Sequence, residues 1–310
     1  MEDFEDYGFD LNNSNEPTTD RYSEAFSKYN IEEDENIVKK AVESIKTDVL
    51  KEKNTSVLKA ILSCIDLTSL KSTDSEDSIL ALAEKVNDCD ERFPDLPSVA
   101  SICVYPNFAD IISKSVEIDN VKTCCVTGGF PSSQTFTEIK IAEVSLAINE
   151  GADEIDTVLP IGKFLDGDYE GISDELEEIK SICGDKTLKI ILETGALQNL
   201  SNVKKAAILA MYSGADFIKT STGKEYQGAD PVSFYVMCKA VKEYAEETGR
   251  IIGVKAAGGI VFTDDAVLYY AIVKNVLGKD WLTKERFRIG ASRLANNLIS
   301  EITGKDIKQF

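Results

Sequence analysis

Gly214-Ala215-Asp216-Phe217-Ile218-Lys219-Thr220 repeats, at five of seven positions, the earlier stretch Gly151-Ala152-Asp153-Glu154-Ile155-Asp156-Thr157. Each reads as a glycine that stops a helix, followed at once by a short apolar strand. Side chains alternate along a strand, so Phe217 and Lys219 share one face and Ile218 takes the other. A large aliphatic such as Ile218 suits a layer packed against helices, which turns Lys219 the opposite way.

Working outward, the same strand-then-helix unit recurs. Strands are predicted at Cys64–Leu67, Val99–Tyr105, Lys122–Thr127, Glu154–Leu159, Leu188–Glu193, Asp216–Thr220, Gly253–Ala257 and Phe287–Gly290. Helical stretches lie between them, as in Thr135–Glu150, where Ile141, Val144 and Ile148 share a face. The Thr135…Glu138 spacing fits a capping box and Gly151 a stop. Asp230-Pro231 opens another helix, with Phe234, Met237, Cys238 and Val241 as its buried stripe and Gly249 at its end. Thr263 or Asp264 caps the next, which stops near Gly278. Such alternation implies a parallel sheet, and eight units favour closure: an α/β fold, a (β/α)8 TIM barrel with an N-terminal helical extension. No Gly-x-Gly-x-x-Gly follows an early strand, against a dinucleotide-binding sheet. The two echoed strands are the fourth and sixth. Interiors of such barrels fill in layers drawn from alternate strands, so Asp156 and Lys219 are expected to point inward at about one height, near the C-terminal mouth.

The first 20 residues hold seven acids and no base and are expected to be disordered. Residues 21–60 carry helical periodicity (Ile37, Val38, Ala41, Ile45, then Val57, Leu58, Ile61), and 61–310 form the barrel. No membrane-length apolar run or signal sequence is read, and a cytoplasmic location is expected. The formal charge of −20 argues against a nucleic-acid binder but allows a locally bound phosphate. The seven cysteines have no zinc-finger spacing and are expected to be reduced thiols. There is no histidine, which excludes Ser-His-Asp catalysis and His-ligated metals. No metal or cofactor is expected. Proton transfers would fall to Lys, Asp, Glu, Tyr, Cys or water.

An ammonium at Lys219 inside a barrel is costly unless it is paired or neutral, and a neutral amine can attack an aldehyde. Lys255, near the mouth end of the seventh strand, would place a second cation beside it and penalise the protonated form. Asp156 can pair with either lysine and pass protons through water. A purely structural Lys–Asp–Lys cluster is the weaker reading, because buried ion pairs stabilise little. Lys189 and Glu193 share a face of the fifth strand, and either extend this network or form a structural pair. An anion site is expected after strands seven and eight, from Gly258, Gly259, Gly290 and Ser292, with Gly223 and Lys224 after strand six.

These residues resemble deoxyribose-phosphate aldolase, a class I aldolase family. The resemblance covers about 240 residues, nearly everything beyond the N-terminal extension. It runs from Cys64–Leu70 through Cys103-Val104-Tyr105-Pro106, Gly129-Phe130-Pro131, Gly151–Thr157, Glu193-Thr194-Gly195, Asp216–Lys224 and Lys255–Gly259 to Arg288–Ser292. It implies reversible, metal-free cleavage of 2-deoxy-D-ribose 5-phosphate into acetaldehyde and D-glyceraldehyde 3-phosphate. On the matching positions Lys219 would be the Schiff-base lysine, Asp156 and Lys255 would handle protons, and Asp66 and Thr68 would line the pocket near the sugar hydroxyls. Cys103 matches a thiol near the substrate, although its apolar neighbours favour a core role. The chain departs from the family twice: Val261 stands where Arg is common, and Arg293 where a small or polar residue is common. Arg293 is therefore expected to replace the missing phosphate charge. The partner implied is a small phosphosugar, with a homodimer left open. Another Schiff-base sugar-phosphate aldolase or transaldolase, and a non-catalytic phosphosugar-binding barrel, stay as alternatives.

Overall fold

The computed structural model describes residues 21–310, so the expectation for residues 1–20 lies outside the described residues. Eight strands run β1 (Ile65–Thr68), β2 (Ser101–Val104), β3 (Lys122–Thr127), β4 (Glu154–Val158), β5 (Thr187–Ile191), β6 (Phe217–Lys219), β7 (Gly253–Ala257) and β8 (Phe287–Ala291). They close in sequence order into one barrel, and β8 returns parallel to β1. Helices α1 (Arg21–Ser27), α2 (Glu35–Glu52) and α3 (Thr55–Ser63) precede the barrel. The strands are then followed by α4 (Glu76–Arg92), α5 (Ala109–Ser115), α6 (Thr137–Asn149), the pair α7 (Ile161–Asp166) and α8 (Tyr169–Cys183), α9 (Leu200–Tyr212), α10 (Pro231–Thr248), α11 (Thr263–Val276) and α12 (Leu294–Thr303).

Outward-facing Ile155, Ile190, Ile218, Val254 and Ile289 are fully buried against this helical layer, as period-two patterning requires. Tyr22, Val38, Val42 and Val49 of the extension belong to the same continuous core. Among the described residues no helix is long and apolar enough to cross a membrane.

Helix α10 starts as expected: Asp230 accepts from Ser233 N and Pro231 is its first residue. Two other expected caps do not form. Thr135 is held in the preceding turn, its N–H donating to Ser133 O at 3.1 Å, so α6 begins at Thr137 with Phe136 as its uncapped N-cap. The Thr263 hydroxyl is drawn outward to Glu301 at 2.5 Å, and Phe262 takes the N-cap position of α11 without a side-chain bond.

The pairing register arranges the interior in layers of four. Asp156 pairs with Lys189, Lys189 with Phe217 and Lys219 with Lys255. Each step to the next strand of such a barrel shifts a layer by about one residue, so positions two strands and two residues apart share a height. On that rule Cys103, Asp156, Lys219 and Gly290 form one layer toward the mouth. Asp66, Cys124, Lys189 and Lys255 form the next, and Ser101, Glu154, Phe217 and Arg288 the one below. Barrels of this kind normally fill these layers with branched aliphatics. Here most positions are charged.

Candidate active site

Asp156 lies at the centre. Its Oδ2 accepts from Lys219 Nζ at 2.8 Å and from Lys255 Nζ at 2.7 Å, while Oδ1 accepts from Lys189 Nζ at 2.9 Å and the Cys124 thiol at 3.2 Å. The sequence expectation that Asp156 and Lys219 meet at one height holds, and Asp156, expected to pair with either lysine, pairs with both. Lys255 also pairs with Asp66 at 2.5 Å, although that oxygen lacks hydrogen-bond alignment. Lys189 pairs with Glu154 at 2.6 Å, and Arg288 bridges Asp66 at 2.5 Å and Glu154 at 2.7 Å. Three carboxylates thus face four basic groups.

Burial alone would raise the Asp156 carboxyl. The ammonium groups of Lys189, Lys219 and Lys255 outweigh it and hold the group well below the usual carboxylate range. Asp66 is likewise lowered, with Lys255 and Arg288 overcoming its desolvation. Lys189 and Lys255 move the opposite way: desolvation pulls them down, but their carboxylate partners win and keep both protonated. Lys219 differs from them in geometry. It has one carboxylate partner, shared with two other cations, and it is 3 % exposed where Lys189 and Lys255 are 0 %.

A cavity of about 260 Å³ opens above it, lined by Lys219, Thr68, Thr222, Lys224, Gly258 and Arg293 among others. Gly223, Gly259, Gly290, Ser292 and Val261 line it too, so these sequence candidates converge. Asp66, Asp156 and Lys255 lie just beneath, fully buried. A larger cavity of about 440 Å³, between the extension and the starts of α9 and α10, has Lys39 in its lining, and that amine is paired with Glu35 at 2.5 Å.

Several expectations need correction. Glu193 does not pair with Lys189: β5 ends at Ile191, and Glu193 turns away with φ 51°. Strand β8 runs one residue past the expected Gly290, to Ala291, and α12 starts after it with Arg293 as its N-cap. Gly258 (φ 96°) does more than expose an amide, because its Cα packs on Gly228 and Gly223, and a Cβ there would lie 2.8 Å from Gly228 Cα. Cys103 does take the core role that its apolar neighbours favour, in a small buried cluster with Leu70, Cys124 and Val126 inside the barrel.

Sequence reasoning missed Lys71, Glu154, Arg288 and Cys124. Glu154 and Arg288 were legible as the inward positions two residues from Asp156 and Gly290. Lys71 lines the cavity only because the β1–α4 loop crosses the mouth, where Lys224 Nζ donates to Leu70 O. Cys103, Cys124 and Asp156 bring three donor atoms within 4.8 Å of one another. Both Asp156 oxygens are already occupied by ammonium groups, so an added metal cation would meet like charge at hydrogen-bonding range and does not suit this donor set.

An amine at the mouth of a barrel, over a buried carboxylate and beside a glycine-rich loop cluster, suits chemistry on a carbonyl. A profile described as DeoC/LacD family aldolase matches residues 60–279. The chain belongs to the DeoC/LacD aldolase family. As a DeoC/LacD aldolase it is a carbon–carbon lyase, and the Schiff-base route is general for that family. Its relatives include the deoxyribose-phosphate aldolase of Homo sapiens, 38% identical over 261 residues, spanning 79% of this chain and 80% of that one. A structure described as a unique tetrameric deoxyribose phosphate aldolase from Aeropyrum pernix superposes with a TM-score of 0.63 at 26% identity, covering 83% of this chain and 96% of that one. A crystal structure from Toxoplasma gondii ME49 shares the fold at TM-score 0.72 and 22% identity, with 81% and 96% covered.

Proposed function

We propose that this aldolase cleaves 2-deoxy-D-ribose 5-phosphate reversibly into acetaldehyde and D-glyceraldehyde 3-phosphate, with Lys219 as the covalent amine. The observation that carries the reading is that Lys219, alone among the three interior lysines, opens on the cavity. Lys189 and Lys255 are locked under it by two carboxylates each.

Lys219 Nζ gives up one proton to water and attacks the sugar aldehyde carbon as the free amine; return of that proton and loss of one water then give the protonated imine. That cation draws in the electron pair of the C2–C3 bond as the C3 hydroxyl gives up its proton. D-Glyceraldehyde 3-phosphate leaves, and an enamine remains on Lys219. Protonation of its terminal carbon and return of the water release acetaldehyde and the amine. Asp156, in contact with both Lys219 and Lys255, is placed to relay these protons, with Lys255 as donor and water as carrier. Asp66 and Thr68 hold the hydroxyl side. The phosphate is assigned to Gly223, Lys224, Gly258, Gly259, Gly290 and Ser292, with Arg293 supplying the charge that Val261 lacks.

Incubation with acetaldehyde and borohydride, followed by peptide mapping, is expected to add two carbons to Lys219. Labelling elsewhere, or none with acetaldehyde, refutes the assignment. Arg293→Ala is expected to weaken kcat/KM on phosphorylated deoxyribose by about tenfold, the worth of one charge-assisted bond, and to spare unphosphorylated deoxyribose. An equal loss on both would remove Arg293 from the phosphate site.

A further inference from the structure

Glu193 occupies a backbone conformation that is hard to explain by the turn alone. It is a non-glycine residue at φ 51°, ψ 58°, a region that costs such residues about 1–3 kcal/mol when held there. Glycine would take the same turn without strain. The side chain is the reason a glutamate remains useful. Its carboxylate is nearly fully buried and turns back onto the β6–α10 loop, where Thr222 N–H donates to both of its oxygens at 3.3 Å. The Thr222 hydroxyl donates to it as well. The same hydroxyl accepts from Lys224 N–H at 3.3 Å. A second latch lies beside the first, Thr194 N–H donating to Thr220 O at 2.9 Å. Gly195 lets the two loops touch, since a Cβ there would lie 2.9 Å from Gln227 O.

We infer that Glu193 is a positioning residue for the phosphate end of the substrate: it fixes Thr222, and through Thr222 the backbone of Gly223 and Lys224. Glu193 does not itself line the cavity; Thr222, Gly223 and Lys224 do. Burial raises its carboxyl while the Thr222 donors pull it back, as befits an acceptor held for the loop. The inference rests on the reading of Gly223 and Lys224 as phosphate ligands, and it assigns their geometry to a residue one strand away.

Glu193→Ala is expected to raise KM for 2-deoxyribose 5-phosphate by about 10- to 100-fold, the range for losing bonds to a charged acceptor. Its kcat, its KM for unphosphorylated deoxyribose and its rate of acetaldehyde trapping on Lys219 should stay at wild-type values. Glu193→Gln keeps an acceptor for Thr222 and should return KM to within about threefold. Glu193→Asp, which keeps the charge but withdraws it by one methylene, should show the same selective rise in KM and serves if the alanine variant folds poorly. Equal losses on both sugars, slowed trapping, or a glutamine variant as impaired as alanine would each overturn the inference. A wild-type enzyme with no preference for the phosphorylated sugar would overturn the phosphate reading and this inference together; retained selectivity in the alanine and aspartate variants would overturn this inference alone.

Discussion

Gly290 is the member of the uppermost charged layer that has no side chain, so the quadrant facing Cys103, Asp156 and Lys219 is open. The vacancy is narrow: a Cβ on Gly290 would lie 2.9 Å from Ala257 Cβ and 3.2 Å from Lys255 Cε. The Lys255 stem would have to move, and its ammonium is what shares Asp156 with Lys219. Gly290→Ala is therefore expected to lower turnover by about 10²-fold through misplacement of the relay, with about 1–3 kcal/mol of destabilisation from overpacking. Steady-state kinetics beside a urea melt would separate the two. Wild-type turnover in the variant would mean that the relay does not depend on this placement of Lys255.

Helix α9 shows how the extension joins the barrel. Lys204 is fully buried and donates to Asn30 O at 2.6 Å, Glu33 at 3.1 Å and Glu243 at 2.9 Å. Glu33, which precedes α2, also accepts from Lys239 of α10 at 2.7 Å. Glu33→Ala would leave a buried ammonium short of one partner, and about 3 kcal/mol of stability should be lost, with turnover below the melting range unchanged. An unshifted denaturation midpoint would show that the extension does not help hold the barrel. None of this coupling was legible in the sequence, because Glu33 and Lys204 meet across 171 residues. The strands were legible, since their outward faces are aliphatic, and so were Lys219 and Asp156, because period two then forces them inward. Reading failed where a local rule was overridden. Glu193 follows strand alternation on paper, but β5 ends two residues earlier. Thr135 and Thr263 have good cap chemistry, yet a neighbouring turn and Glu301 claim them.

At the scale of the whole molecule two electrostatic effects oppose each other as pH falls. The formal charge is −20 at pH 7 and the isoelectric point is near 4.5. Acidification toward that point relieves repulsion between exposed carboxylates, a weak effect that salt screens over about 8–10 Å. The barrel interior responds in the other sense. Asp66 and Asp156 are held below their unfolded values by the lysines and Arg288, so their stabilisation is complete above the unfolded carboxyl pKa of about 4 and is lost as pH falls through the folded values. Lys189 and Lys255 are raised, so their contribution is complete below about pH 10 and is lost only above it. The predicted profile is a shallow gain in stability from pH 7 to about 5, abolished by about 0.5 M salt, then a steep fall below about 4 that salt leaves in place because the groups are buried. Urea denaturation midpoints across pH at two ionic strengths would test this. A fall below pH 4 that disappears with salt would assign acid sensitivity to the surface and leave the interior network without the stability role argued for it.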